Sequence, residues 1–216
     1  MSNNSQQIKK SDKKAPGLSL RYTADITIGG RDSQQDAIGI SNPPKAFVVA
    51  DGMGGMEGGE VASKWVIDAV CEAKTHEDIP KLLAAVNARI KQMFKGGSTV
   101  VAAFIEKGIC HIYSAGDSRA YYNGKQVTKD HNLPGRQNVL LNAVGVHQEL
   151  TIDHVAIKVN AGDKMVLCSD GAYSHLEDDS KVRGLKRHEN VGPFVQAQKS
   201  DNCSVILVTF HAKTIA

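Results

Sequence analysis

Three apolar runs in this chain stop at an aspartate that is followed by a small residue. AFVVAD ends at Asp51 before Gly52, IYSAGD ends at Asp117 before Ser118, and MVLCSD ends at Asp170 before Gly171. A fourth aspartate, Asp201, immediately precedes the apolar run in NCSVILV. Taken singly, an Asp-Gly or Asp-Ser pair is a turn. Four carboxylates at the ends of apolar strands are harder to read as four separate turns. If the strands lie in stacked sheets, their ends can converge on one rim. Converging carboxylates cannot all stay ionised without compensation. A divalent cation compensates them, and an all-oxygen donor set selects a hard one such as Mg²⁺ or Mn²⁺. The eight histidines offer no HxxxH or HxH pairing, which disfavours zinc. Two hard cations, about 3.5–4 Å apart, can activate water and clamp a phosphate for in-line attack. The glycines after Asp51 let the backbone approach such metals, and the Gly52 carbonyl is itself a donor.

The elements that carry these residues follow from periodicity. LSLRYTADITIG alternates apolar and polar residues at Leu18, Leu20, Tyr22, Ala24, Ile26 and Ile28, which predicts a strand with one buried face. AIGI and KAFVVAD read as strands. Val61, Trp65, Val66, Ala69 and Val70 fit a helix, and Ile79, Leu82, Leu83, Val86 and Ile90 fit a second, with Pro80 in its first turn. STVVAAFIEKG, ICHIYSAG and RAYYNGKQV return to strands, and Asn123-Gly124 predicts a tight hairpin turn. NVLLNAVG reads as a short helix. LTIDHVAIKV, KMVLCSD and CSVILVTFHA read as strands, with a helical and loop-like stretch over 171–200. Helices are segregated from strands, the pattern of an α+β fold with antiparallel sheets covered by helices.

At 216 residues the chain can hold one sizeable core. Its net charge of +3 is matched by a lysine-rich leader bearing Lys9, Lys10, Lys13 and Lys14 against Asp12, so the remainder is near neutral. That argues against nucleic-acid binding. The expected organisation is a disordered basic tail over 1–16 and a single domain over 17–216. No apolar run approaches the roughly 18 residues needed to span a bilayer, and the N-terminus lacks a signal peptide's apolar core, so the expected location is the cytoplasm, off the membrane. Cys71, Cys110, Cys168 and Cys203 have no CxxC spacing and read as buried reduced thiols.

In order and spacing, RDSQQDA (31–37), VVADGMGG (48–55), GGST (96–99), AGDSRAYY (115–122), TKDHN (128–132), NVLLNAVG (138–145), LCSDG (167–171) and DNCSVILV (201–208) resemble the metal-dependent type-2C serine/threonine protein phosphatases. The bacterial members, which carry DGMGG, are the nearest in type. The resemblance implies a four-layer α-β-β-α sandwich of two antiparallel sheets flanked by helices. It implies that Asp51 bridges two Mn²⁺ or Mg²⁺ ions, that Gly52 ligates one through its carbonyl, and that Asp170 and Asp201 complete the other. Asp117, with Asp170, is implied to hold a third ion, and Asp36 to support the metal-bound waters. Arg31 is implied to grip the substrate phosphate, a task that its planar donor fork suits. The implied reaction is hydrolysis of phosphoserine or phosphothreonine on proteins by a metal-bridging hydroxide, without a covalent intermediate. The implied partners are phosphoprotein substrates of a serine/threonine kinase, met by a monomer.

Three departures stand out. Gln35 occupies a position that is acidic in many members, which removes a charge but keeps an acceptor. Met53 stands where some members have a histidine able to protonate the leaving group. Only LPGRQ separates TKDHN from NVLLNAVG, too short for a lid, so the flap segment is expected to be largely absent. Gln35 and the missing flap leave an alternative open: a catalytically weak signalling or binding module on the same fold.

Overall fold

The strand β13 (Cys203–Ala212) pairs on one side with β1 (Leu18–Thr27) and on the other with β12 (Lys164–Cys168) in the computed structural model. The structure describes residues 18–43, 45–54, 58–174, 180–187 and 190–213, and the expected tail over 1–16 lies outside the described residues. Beyond β12 lie β7 (Arg119–Tyr122) and β8 (Lys125–Gln126), giving a five-stranded sheet in the order β1-β13-β12-β7-β8. The hairpin turn between β7 and β8 holds Asn123 and Gly124 at φ 51° and 81°. Both values are left-handed, as a two-residue turn matched to strand twist requires.

The second sheet takes β2 (Asp36–Ile40), β3 (Ala46–Met53), β5 (Val100–Glu106), β6 (Ile109–Ala115) and β11 (Asp153–Lys158), in the order β11-β6-β5-β3-β2. The short β4 (Gly97–Ser98) pairs with the end of β3. Every pairing is antiparallel.

Alternation decides what each face meets. Phe47, Val49, Val101, Ala103 and Ile112 point from the six-stranded sheet onto Met165, Leu167, Ile206, Val208 and Phe210 of the other. Each large apolar side chain buried there contributes about 1.5–3 kcal/mol. Val48, Ala50, Val100, Ala102 and Phe104 point the opposite way, onto α1 (Gly58–Glu72) and α2 (Asp78–Met93). The buried positions of α1, Gly59, Ala62, Ser63, Val66, Ala69 and Val70, form one stripe at helical spacing. On the far side, Val166, Cys168, Val205 and Leu207 pack beneath the short helices α3 (Ser180–Gly184) and α4 (Gly192–Gln196) through Val182 and Val195. The layers therefore run α-β-β-α, as expected.

Two local expectations fail. The segment NVLLNAVG is not helical. Its first part lies in β10 (Arg136–Leu140), which pairs with β9 (Asn132–Leu133), and Val144 then bridges to Ser98. Its backbone groups are taken by partners elsewhere: Leu141 N–H donates to His131, and Val144 and Ser98 exchange bonds of 2.9 and 2.8 Å. The alternation in β1 also fades beyond Leu20. Tyr22 is 49% exposed, because an edge strand has too little sheet opposite it to cover every apolar residue.

Candidate active site

The four strand-end aspartates come from both sheets. Asp51 lies near the end of β3 and Asp117 just beyond β6. Asp170 follows β12 and opens a single 3₁₀ turn, and Asp201 lies two residues before β13. All four, with Gly52 and Arg31, line one open cleft of about 830 Å³. Asp36 lies behind it, buried at 5% exposure and directly opposite Asp51 in the β2–β3 ladder. Like charges facing one another across an antiparallel pair are unfavourable. This pair is held in place from the other sheet: the Ser169 and Ser204 hydroxyls both donate to Asp36 Oδ2, at 2.7 and 2.8 Å.

The electrostatics of the cluster call for positive charge. Burial, opposed by the two serine bonds, pushes the Asp36 carboxyl up to about 6. Burial, followed by the charge of Asp170, pushes Asp117 up to about 6. Burial, then Asp36 and Asp170, drives Asp51 well above the usual carboxylate range. Among the described residues, Asp36 Oδ1 is the one buried side-chain polar atom without a hydrogen-bond partner. Clustered oxygen donors, mutual repulsion and an orphaned acceptor fit a hard divalent cation.

The backbone around Asp51 is fixed by exchange with Thr99: Asp51 N–H donates to Thr99 Oγ1 and Thr99 N–H donates to the Asp51 carbonyl, each at 2.9 Å. Thr99 Oγ1 also meets Ser118 Oγ at 2.7 Å, joining the GGST and GDSR segments. The glycine at 52 has a reason beyond the one expected from the sequence. A Cβ there would collide with the Gly59 carbonyl in the first turn of α1 and with the Gln35 carbonyl. Gly54, at φ 112°, then turns the chain toward that helix.

Arg31 Nη2 donates to Asp201 Oδ2 at 2.6 Å, and its side chain is 60% exposed at the rim. Asp201, first and foremost through that hydrogen bond, raises the Arg31 pKa. Asn202 ties this loop down: it accepts from Gln35 N–H and donates to the carbonyls of Ile28 and Ser33. The Gln35 side chain lines the cleft and donates to the Gly54 carbonyl at 3.2 Å.

A second network, not anticipated from the sequence, stands behind Asp117. Arg119 grips Asp130 with Nε and Nη2, the shortest contact being 2.6 Å, and stacks 3.5 Å over the Tyr173 ring. Tyr173 OH donates to the Asp117 carbonyl at 2.6 Å, and Asn132 Nδ2 donates to Asp117 Oδ2 at 3.0 Å. The signal was present in GDSR and TKDHN, but their pairing is tertiary. The short LPGRQ loop forms the tip of the β9–β10 hairpin, and Leu140 and Val146 give the cleft an apolar wall on that side.

A family model described as Stage II sporulation protein E (SpoIIE) matches residues 44–210. The chain is 26% identical over 208 residues to the serine/threonine phosphatase stp of Listeria monocytogenes, covering 74% of this chain and 82% of that one. Its fold is similar to that of PppA from Pseudomonas aeruginosa, with a TM-score of 0.81, 26% identity, and coverage of 88% and 97% of the two chains. It is similar also to the catalytic domain of the serine/threonine protein phosphatase PstP in complex with two manganese ions, with a TM-score of 0.76, 23% identity, and coverage of 90% and 100%. A sandwich with its acidic cleft at the junction of the two sheets, matched along most of its length, places this chain in the SpoIIE/PPM-type family of serine/threonine phosphatases.

Proposed function

We propose that the chain hydrolyses phosphoserine and phosphothreonine monoesters on proteins with the help of two hard divalent cations, Mn²⁺ or Mg²⁺. The observation that carries this reading is the meeting of Asp51, Asp117, Asp170 and Asp201 in one cleft with Asp36 buried behind them. Asp51, the Gly52 carbonyl, Asp170 and Asp201 would hold the two ions, and Asp117 with Asp170 a third. When bound, the cations supply Lewis-acid activation of water and neutralise charge on the phosphoryl group.

The remaining work falls to the chain itself. Arg31 stands at the rim, where an incoming phosphate competes with Asp201 for its guanidinium fork. Asp36, with one oxygen saturated by Ser169 and Ser204, keeps the other as an unpaired buried acceptor behind Asp51, from where it would support the waters that the cations hold. Thr99 and Asn132 hold Asp51 and Asp117 in place. The open cleft, bordered by a hairpin and, among the described residues, by no lid, suits a phosphorylated loop of a protein. The acting form proposed is a monomer. The four cysteines are free thiols, in keeping with a reducing cytoplasm shared with a serine/threonine kinase.

The test is hydrolysis of a chromogenic phosphoester and a phosphothreonine peptide with Mn²⁺, Mg²⁺ or chelator. Metal-dependent turnover is expected, with at least a ~100-fold loss in Asp51→Ala, the scale of removing one electrostatic stabiliser of a transition state. Turnover that survives chelator and the substitution overturns the reading. Absence of turnover on both substrates at saturating Mn²⁺ favours the binding module, for which Gln35 in an acidic position is the supporting observation.

A further inference from the structure

Three histidines that are far apart in sequence meet on the helix-facing side of the six-stranded sheet. His111 lies on β6, His154 on the edge strand β11, and His76 on the connection between α1 and α2. One ring nitrogen from each lies within 4.8 Å of those of the other two. His111 is buried, His76 half-buried and His154 exposed, so the group is anchored yet open to solvent. We propose that His76, His111 and His154 form a second metal site, separate from the acidic cleft, that takes one borderline divalent transition ion of the Zn²⁺ class.

Donor chemistry separates the two sites. The cleft offers oxygens for a hard ion, whereas three imidazoles suit zinc and its neighbours. His111 Nδ1 and His154 Nε2 face each other at 3.2 Å. Two nitrogens bound to one tetrahedral zinc at 2.0–2.1 Å stand about 3.3 Å apart, so this spacing already matches a shared ion. The His76 ring stacks on His111 with centroids 3.5 Å apart, and a turn of that loop side chain brings its nitrogen toward the pair. His76 Nδ1 meets Tyr113 OH at 2.9 Å in the stacked orientation, a bond that the turn toward the pair would exchange for the ion. Three ligands leave a fourth position for water.

Protonation favours the same conclusion. Burial, then the neighbouring His76 and His154, holds His111 below the usual histidine range, and burial followed by His76 does the same to His154. Neutral imidazole is the ligating form. Glu77 and Glu106 act on His111 in the opposite sense and supply nearby negative charge for a cation. A bound ion would tie the edge strand β11 to β6 and to the α1–α2 connection.

The experiment is equilibrium dialysis of the full chain against Zn²⁺ in a large excess of Mg²⁺, for the parent, His154→Ala and His76→Ala. Both substitutions are at solvent-accessible positions, which spares the core. One zinc per chain is expected for the parent, with affinity at least ~10-fold weaker in each variant and phosphatase activity with Mn²⁺ unchanged in both. Co²⁺ in place of Zn²⁺ should give the intense visible bands of a tetrahedral nitrogen site in the parent and lose them in His154→Ala. Zinc retained equally by all three proteins, or by none, overturns the proposal.

Discussion

Gln35 shows how much one side chain can set. It lies in the cleft wall beside Asp51 and donates to the Gly54 carbonyl, where an acidic residue would add a charge to the donor set. Gln35→Glu is isosteric and restores that charge. It is expected to lower the Mn²⁺ concentration for half-maximal activity several-fold, read from a metal titration at fixed substrate. An unchanged midpoint would assign Gln35 to packing alone. The candidate ligands were legible because each aspartate stands at the end or just before the start of an apolar run, a signal carried by neighbours in sequence. Arg31 was legible only by resemblance, and its pairing with Asp201, 170 residues away, was not legible. The serines holding Asp36 were hidden for the same reason: Ser169 and Ser204 lie 133 and 168 residues from it, and nothing local marks them.

Among the elements, the longer strands and the two long helices were legible because their apolar residues form short continuous runs or recur at periods near two or 3.6. NVLLNAVG misled because a short apolar run fits either period, and the deciding partners, β9 and Ser98, come from other parts of the chain. The connection from β6 through Asp117 to β7 is held by the Arg119–Asp130 pair and the Tyr173 ring. Lysine keeps the charge at 119 but not the planar fork or the stacking. Arg119→Lys is therefore expected to destabilise the fold by about 2 kcal/mol, measured by urea unfolding, and to weaken activity through the position of Asp117. Full activity with a lower urea midpoint would separate the two effects and confine Arg119 to stability.

For the whole molecule, the cleft lies where the two sheets meet, so its repulsion acts against their packing. Removing one charge relieves it. In chelator, Asp51→Asn is expected to unfold at a higher temperature than the parent, by at least about 1 kcal/mol or roughly 2–4 °C at this size, while losing activity. A calorimetric scan decides it, and a variant less stable than the parent would mean that the carboxylates are not in conflict. The donor atoms are also widely spread along the chain. A ribosome that has emitted Asp51, Asp117 and Asp170 has still not made a site, because Asp201 and the Ser204 hydroxyl that steadies Asp36 arrive with β13. That strand is an interior strand of its sheet, between β1 and β12. On the proposed assignment of these residues, a nascent chain would be catalytically silent until β13 docks, and hydrolysis would begin only once synthesis had delivered a folded sandwich.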